Sequence, residues 1–226
     1  MEKWITMYTI NDLFDLNHTI AGEYLRQFTY PWEALGGIEE LILALGPKLG
    51  EEYEEREEHV WVHRTARIFP TAYIGAPSII GPRTEVRHCA FIRECAIVGE
   101  DCVVGNSVEL KNVILFDGVQ VPHFNYVGDS ILGYYSHMGA GSVTSNFRAD
   151  HGDITVRCGE EKMETGMNKI GAMIGDHAEI GCNAVCNPGT IVGRNSIVYP
   201  TSCVRGTVEE RTIWKADGRT VKMENC

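Results

Sequence analysis

Residues 119–146 contain the side chains of this sequence that are best suited to chemistry. A histidine, a tyrosine and an asparagine lie in this stretch at His123, Tyr126 and Asn146, beside a break in an otherwise regular six-residue repeat. Imidazole can exchange a proton near neutral pH, while phenol and amide groups offer hydrogen bonds to a ligand. A regular repeat has little structural reason to place this combination at an interruption. We therefore take the stretch as the candidate active site.

The surrounding frame is a column of mostly aliphatic residues at every sixth position. Its members are Val62, Ile68, Ile74, Ile80, Val86, Ile92, Val98, Val104, Leu110 and Phe116, then Tyr126, Leu132 and Met138, and finally Ile174, Ile180, Cys186, Val192, Val198 and Val204. Small residues such as Ala66, Ala72 and Ser78 precede the column by two positions. A fixed period of six indicates a hexapeptide parallel β-helix, because neither a helix of 3.6 residues per turn nor an alternating strand sustains it. We predict an all-β fold in which three hexapeptides close one triangular coil.

Two interruptions divide the repeat. Phe116 and Tyr126 are closer together than two periods, which predicts a deformed coil around His123 and leaves Tyr126 on the interior column. The repeat then disappears at about residues 147–171. Long segments without a repeat are usually functional or disordered, so we expect this inserted loop to form a wall of the site. The β-helix is predicted over residues 60–206, with a C-terminal cap or tail over residues 207–226.

Residues 1–59 are predicted to form a small helical N-terminal extension. Asn11 can cap a helix that runs through Leu25, and a second apolar series at helical spacing stops at Gly46 and Pro47. The acidic residues 51–58 are interpreted as a solvated helix face or linker, with a regulatory tail as the alternative.

Composition limits the partners and the compartment. The net charge is −11, and residues 1–59 hold thirteen acidic and four basic residues, so the absence of a basic stripe argues against nucleic acid as a partner. No apolar run approaches the roughly 18 residues that span a bilayer, and no secretory segment is apparent, so we expect no membrane partner. Eight scattered cysteines without a CxxC pair are typical of a reducing compartment, which predicts a cytoplasmic protein.

Several motifs together resemble a known enzyme family. They are Phe91-Ile92-Arg93, Val104-Gly105-Asn106, Glu109-Leu110-Lys111, residues 122–129, residues 138–141, Asn146-Phe147-Arg148 and residues 165–176. Over roughly residues 62–206 the chain resembles the C-terminal acetyltransferase domain of bifunctional glucosamine-1-phosphate acetyltransferase/UDP-N-acetylglucosamine pyrophosphorylase. It is still more similar to the β-helix domain of archaeal-type sugar-1-phosphate nucleotidyltransferases. The resemblance implies a left-handed β-helix, a homotrimer with sites between neighbouring solenoids, and acetyl-CoA-dependent N-acetylation of an amino-sugar 1-phosphate without a metal.

The resemblance also implies roles for individual residues. His123 would be the general base, Glu109 would orient it, and Asn146 would complete the catalytic set. The implied substrate-binding residues are Arg93, Lys111, Tyr126, His137 and Lys169, and the candidates for binding acetyl-CoA are Cys182, Arg205 and Lys215. Cys182 stands where the bacterial family has a serine. For each residue an ordinary structural role remains the alternative: a turn histidine, an exposed carboxylate or surface cation, or a core tyrosine.

Three other functions can be compared with the sequence. Nucleotidyl transfer needs a glycine-rich phosphate loop that residues 1–59 do not supply, so we expect no such activity from this chain alone. The main alternative is a non-catalytic sugar-nucleotide-binding or scaffold β-helix, for which a separate nucleotidyltransferase would be a partner. A zinc-dependent carbonic anhydrase of β-helix type is disfavoured, because no third histidine follows His88 and His123 at close spacing.

Overall fold

The computed structural model describes residues 7–223 as a β-solenoid of about nine turns. Short parallel strands stack on three faces. In chain order the strands are Tyr53–Glu57, Val60–His63, Arg67–Ile68, Tyr73–Ile74, Ser78–Ile80, Glu85–Val86, Phe91–Val98, Val103–Asn106, Glu109–Leu115, Gln120–His123, Tyr126–Leu132, His137–Met138, Val143–Thr144, Thr155–Cys158, Glu161–Glu164, Ala172–Ile174, Glu179–Ile180, Val185–Cys186, Thr190–Val192, Ile197–Val198, Cys203–Val204, Thr207–Val208, Thr212–Trp214 and Thr220–Lys222. The prediction of an all-β left-handed parallel β-helix with a hexapeptide repeat is confirmed.

The three faces share one interior. The face that carries the candidate site is here called the site face. It contains Tyr73–Ile74, Val143–Thr144, Val185–Cys186 and Cys203–Val204, together with the first halves of three longer strands. The long strands Phe91–Val98, Glu109–Leu115 and Tyr126–Leu132 turn a corner onto the second face. Gln120–His123 belongs to the third face. Every inward side chain stacks on its equivalents above and below, and burying each Val, Leu or Ile contributes about 1.5–3 kcal/mol.

The repeat shortens by one residue in consecutive turns, and this changes which side chains face inward. Leu115 pairs with Val98 below and with Leu132 above, so Leu115 rather than Phe116 occupies the interior position. Val127 pairs with Leu110 and is fully buried, whereas the neighbouring Tyr126 is only partly buried. The predictions that the repeat runs unbroken to Phe116 and that Tyr126 lies on the interior column are therefore wrong.

The turns become one residue shorter at a corner of the coil rather than at His123. The strand pairing shifts between Ile92 and Glu94, so the turn through Arg93 holds one residue more at this corner than the turns above it. In the next two turns the corner is made by Asn112 at φ 53° and Asp129 at φ 46°. Asparagine and aspartate tolerate this left-handed conformation better than most residues. We call this corner, between the site face and the second face, the Asp129 edge.

The N-terminal extension is only partly helical. Its α-helices are Ile10–Leu13, Gly22–Leu25 and Ile38–Leu45, and its 3-10 helices are Pro31–Gly37 and Gly46–Lys48. The predicted helix from Asn11 to Leu25 is wrong, because Thr9 is the N-cap of the first helix and Phe14 is already extended. The acidic segment is also not helical: Tyr53–Glu57 is a strand that runs antiparallel to Val60–His63 and exposes its glutamates. Such charges protect a sheet edge from pairing with other chains.

The extension packs against the side of the solenoid. The Phe14 ring lies 5.1 Å from the ring of Phe116, which explains why Phe116 is buried outside the interior column. His18 stacks on Tyr134 with ring centroids 3.6 Å apart. The carboxylate of Asp176 accepts hydrogen bonds from the backbone N–H groups of Asp15 (2.7 Å) and Tyr134 (2.9 Å). These contacts fix the extension on the solenoid, and Leu35 and Gly36 of the extension lie beside the candidate site.

The inserted loop is a folded element. Thr155–Cys158 and Glu161–Glu164 form an antiparallel hairpin, and an antiparallel bridge between Phe147 and Lys169 closes its base. Near the other end of the solenoid, Thr212–Trp214 and Thr220–Lys222 form a second hairpin. In residues 7–223 no helix has both the length and the apolar character needed to cross a membrane.

Candidate active site

The candidate site occupies the outer surface of three consecutive turns of the site face. Leu110 and Val127 point inward, and neighbouring residues of a strand point to opposite sides, so Glu109, Lys111 and Tyr126 point outward. Tyr126 stacks directly above Glu109 in the strand register. The structure therefore brings together five of the predicted site residues: Arg93, Glu109, Lys111, Tyr126 and Asn146.

The centre of this group is Asp129, which sequence reasoning did not select. Its buried carboxylate accepts hydrogen bonds from Lys111 Nζ (3.2 Å), Asn112 Nδ2 (3.0 Å) and Asn146 Nδ2. A buried carboxylate is stable only when charge and hydrogen bonds compensate it, and Asp129 has both. The signal in the sequence was an acidic residue directly after Tyr126-Val127-Gly128, at a corner of the coil.

Tyr126 lies flat across the site face toward the Asp129 edge. Its hydroxyl accepts a hydrogen bond from Asn146 Nδ2 at 3.1 Å, above Gly128. A Cβ atom on Gly128 would collide with the Tyr126 hydroxyl and with the Asn146 amide. The absence of a side chain at Gly128 therefore leaves room for these two groups. Burial raises the pKa of Tyr126, although the hydrogen bond from Asn146 opposes the shift. The phenol therefore stays protonated at neutral pH and can donate a hydrogen bond to a ligand.

Arg93 and Glu109 form an ion pair on the same surface. Arg93 Nη1 lies 3.1 Å from Glu109 Oε1, and this hydrogen bond raises the pKa of the Arg93 guanidinium. Glu109 thus pairs with a cation in this structure, and its proposed orientation of His123 stays a prediction. Because Lys111 likewise faces Asp129, these two cations and two carboxylates form a neutral group. Lys169 adds a positive charge beside it.

His123 lies at the opposite edge of the site face. The chain turns there from Gln120–His123 on the third face into Tyr126–Leu132. The backbone N–H of His123 donates to Asn125 Oδ1 at 3.0 Å, and the buried Asn125 amide in turn donates to Gly139 O at 2.8 Å. Within residues 7–223 the exposed His123 ring makes no hydrogen bond or ion pair. The backbone is fixed, and the imidazole is available to a ligand.

The other predicted substrate residues separate into two locations. His137 lies on the third face, where it pairs in register with Gln120 rather than His123, and its Nδ1 is 2.8 Å from Glu179 Oε2. Lys169 lies at the base of the inserted loop and lines a cleft of about 370 Å³ together with Asn112 and Asp129. The structure therefore joins Lys169 to the site and places His137 outside it.

The N-terminal extension forms another wall of this cleft. Leu35 and Gly36 line it, and the Leu35 carbonyl accepts a hydrogen bond from Asn112 Nδ2 at 3.3 Å. Local sequence patterns could not identify this contact, because the two residues are 77 positions apart. The candidate site thus combines a solenoid surface, an extension and an inserted loop.

The predicted coenzyme residues lie along two different edges. Backbone hydrogen bonds connect Gly141 to His123 and Asn183 to Ala140, which places Cys182 on the same edge as His123. Lys215 lies further along that edge, since Trp214 accepts a backbone hydrogen bond from Tyr199. Arg205 lies instead on the continuation of the Asp129 edge, beside the inserted loop. One chain therefore does not bring Arg205 together with Cys182 and Lys215.

The described residues 7–223 contain no group of three or more His, Cys, Asp or Glu side chains arranged to hold a metal ion. The available chemistry is that of an imidazole at one edge, and of cations, a phenol and an amide at the other. Such a surface can hold an anionic polar ligand and exchange a proton with it.

The fold and this surface define a hexapeptide-repeat β-helix protein. The chain is homologous to bifunctional sugar-1-phosphate nucleotidylyltransferase/acetyltransferases, as the sequence motifs predicted. It is 34% identical over 102 residues to the "Bifunctional sugar-1-phosphate nucleotidylyltransferase/acetyltransferase" of Sulfurisphaera tokodaii, covering 45% of this chain and 25% of the relative. It is 31% identical over 155 residues to the "Bifunctional protein GlmU" of Methanococcus vannielii, covering 68% of this chain and 34% of the relative. The chain thus spans about a quarter to a third of the length of these relatives.

No family model matches the sequence. Solved structures with a similar fold include a hexapeptide transferase family protein from Anaplasma phagocytophilum, with a TM-score of 0.42, 16% identity, and coverage of 73% of this chain and 78% of that one. The polySia-specific acetyltransferase NeuO has a TM-score of 0.39 and 12% identity, with coverage of 70% and 80%. Similarity at this level carries no information about substrate.

Proposed function

We propose that this chain catalyses acetyl-CoA-dependent N-acetylation of an amino-sugar 1-phosphate on the site face. The observation that supports this most directly is the juxtaposition of Arg93, Lys111, Tyr126 and Asn146 on neighbouring turns. These residues belong to the same ordered motifs by which the sequence resembles the acetyltransferase domains. The relative from Sulfurisphaera tokodaii is named as an acetyltransferase as well as a nucleotidylyltransferase, which agrees with the proposal.

In the proposed reaction His123 acts as the general base. The sugar amine attacks the thioester carbonyl carbon of acetyl-CoA, a C–N bond forms, and His123 takes the proton that the nitrogen releases. Collapse of the tetrahedral intermediate breaks the C–S bond, and the departing thiolate takes the proton back from the imidazolium. The products are the N-acetylated sugar phosphate and coenzyme A. The exposed thiol of Cys182, on the same edge as His123, would lie near the thioester and be at best a weak donor to its oxygen.

The Asp129 edge would hold the sugar phosphate. Arg93 can offer a guanidinium fork and Lys111 an ammonium group, but each already faces a carboxylate. Lys169 makes no ion pair among the described residues, although Asp153 lines the same cleft, so its ammonium group is available to the phosphate. Tyr126 and Asn146 would hydrogen-bond to the sugar hydroxyls. The proposed assembly is a homotrimer in the cytoplasm, in which a neighbouring solenoid completes the coenzyme site.

The direct test is thiol release from acetyl-CoA with glucosamine-1-phosphate and with galactosamine-1-phosphate. We expect turnover by the wild type and a loss of about 10²–10⁴ in kcat for His123→Ala. His59→Ala is the matched control, because His59 is exposed and lies before the first parallel strand of the solenoid. Full turnover by His123→Ala would refute the role of His123 as the general base. Tight binding of a sugar nucleotide without turnover of either sugar would favour a non-catalytic β-helix.

A further inference from the structure

A second concave site lies further along the Asp129 edge, between the inserted loop and the upper turns of the solenoid. It has a volume of about 560 Å³ and is lined by three arginines, Arg148, Arg157 and Arg205, and one acidic residue, Asp150. We call it the arginine cleft. This concentration of positive charge is unexpected in a chain with a net charge of −11. Its volume is within the range of about 300–1,000 Å³ that small-molecule sites occupy.

Two of the three guanidinium groups are uncompensated. Arg148 is neutralised, because its Nε lies 2.9 Å from Asp150 Oδ1 and its Nη1 donates to the Asp153 carbonyl at 2.8 Å. Arg157 and Arg205 are exposed, and in the part of the chain that the structure describes neither guanidinium has a hydrogen-bond or ion-pair partner. Two unpaired guanidinium groups in one cleft favour an anion, and their planar forks match phosphate oxygens.

The fold holds these two arginines in place. In the strand Thr155–Cys158, Val156 is buried against the solenoid, so the alternating Arg157 side chain faces outward. The Arg157 carbonyl accepts a hydrogen bond from Thr207 Oγ1 at 2.7 Å, which ties the inserted loop to the solenoid two residues after Arg205. The two cations therefore come from separate elements that are fastened together beside them.

The lining of the cleft also includes an aromatic residue and a neighbour of the candidate active site. Phe147 lines the cleft and is 39% exposed, and its ring packs edge-to-face with the His151 ring at 5.0 Å, so the exposed part of the side chain can stack against a planar group. Ser145, the residue before Asn146, lines the cleft as well.

We propose that the arginine cleft binds the phosphate groups of a nucleotide, with Phe147 stacking on its base. The cleft continues the Asp129 edge, where the sugar phosphate would bind. Arg205 lies apart from Cys182 and Lys215, so the ligand is a nucleotide-linked sugar rather than the coenzyme.

The test is calorimetric binding of UDP, coenzyme A and inorganic pyrophosphate to the full chain. We expect UDP to bind, and the double variant Arg157→Gln/Arg205→Gln to weaken that binding by about tenfold or more, since each lost contact is a charge-assisted hydrogen bond. Arg211→Gln is the matched control, because Arg211 is exposed and lies outside the cleft. Phe147→Ala should weaken nucleotide binding and leave pyrophosphate binding unchanged.

Coenzyme A tests the other occupant of the cleft. A loss confined to UDP supports the proposal, and a loss confined to coenzyme A overturns it, because the cleft would then be part of the coenzyme site. The proposal is also overturned if the wild type does not bind UDP, if the double variant binds UDP as well as the wild type does, or if Arg211→Gln weakens binding equally. Binding is measured without acetyl transfer, so the proposed acetyltransferase could fail while the arginine cleft stands, and the reverse also holds.

Discussion

Asn146 donates its side-chain hydrogen bond to the buried carboxylate of Asp129, seventeen residues earlier and one turn below. Asn146 is the last residue before the inserted loop, and Asp129 also holds the ammonium group of Lys111. One carboxylate therefore orients a candidate catalytic residue and a candidate phosphate ligand together. Asp129 acts through these neighbours, which makes it a positioning residue for the proposed reaction.

We expect Asp129→Asn to lower both stability and activity. Lys111 is only 16% exposed at its side chain, so the substitution leaves a largely buried cation without its charge partner. Breaking such a pair costs about 3–5 kcal/mol, which urea unfolding would measure. Asp217→Asn is the control: Asp217 pairs with Arg219 on the exposed surface, where an ion pair contributes at most about 1 kcal/mol. Equal stability of the two variants would contradict the role given to Asp129.

Gly128→Ala should impair the site with a smaller effect on the fold. The new methyl group would displace the Tyr126 hydroxyl and the Asn146 amide, which both face solvent in part, so these side chains can move away. We expect a rise of about tenfold or more in KM for the sugar phosphate. Gly50→Ala is the matched control, because nothing lies within 4 Å of the added atom. An unchanged KM in Gly128→Ala would show that Tyr126 and Asn146 do not contact the sugar.

The β-helix itself could be predicted from the sequence, because its interior position recurs every six residues and needs only an aliphatic side chain. The sequence did not show which residues of the repeat point inward near the site. Leu115 and Phe116 are adjacent and both apolar, so the sequence does not show which one points inward. The one-residue contraction at Asn112 and Asp129 resolves it, and that contraction depends on corner geometry rather than on hydrophobic pattern.

The site residues were recognised as a group, but their surroundings were not. The motif residues Arg93, Glu109, Lys111, Tyr126 and Asn146 are neighbours because equivalent positions of successive turns stack. The wall formed by Leu35 depends on how the extension docks, and no local pattern encodes it. Helical spacing in the extension overstated its helices for the same reason: packing on the solenoid, through contacts such as Phe14 on Phe116, decides its path.

Lys169 and Lys162 provide a matched pair for the phosphate contact. Both belong to the inserted loop and both are exposed, but only Lys169 lines the cleft with Asp129. Lys169→Ala should raise KM for the sugar phosphate by about tenfold, the effect of losing one charge-assisted contact, with little change in kcat. Lys162→Ala should leave both constants unchanged. If the two variants behave alike, the ammonium group of Lys169 does not bind the phosphate.

Asp117 gives a prediction about pH. Half-burial beneath the docked extension raises the pKa of its carboxyl to about 6. The neighbouring His18 and Arg83 oppose this shift, and the charge of Asp101 adds to it. A raised pKa in the folded state means that the folded protein binds the proton more tightly than the unfolded chain does. The contribution of this group to stability is therefore fully present below its unfolded pKa near 3.8 and is lost as the pH rises through about 6.

Asp117→Asn should remove this pH dependence. Its side-chain oxygen can still accept the hydrogen bond that the Glu100 N–H donates to Asp117 Oδ1 at 2.8 Å, so the local fold should persist. Urea unfolding of the wild type and the variant between pH 4 and pH 7 would show a difference in unfolding free energy that grows in favour of the variant as the pH rises through about 6. A constant difference across this range would mean that Asp117 titrates alike in the folded and unfolded chains. The docked extension would then impose no burial on its carboxyl.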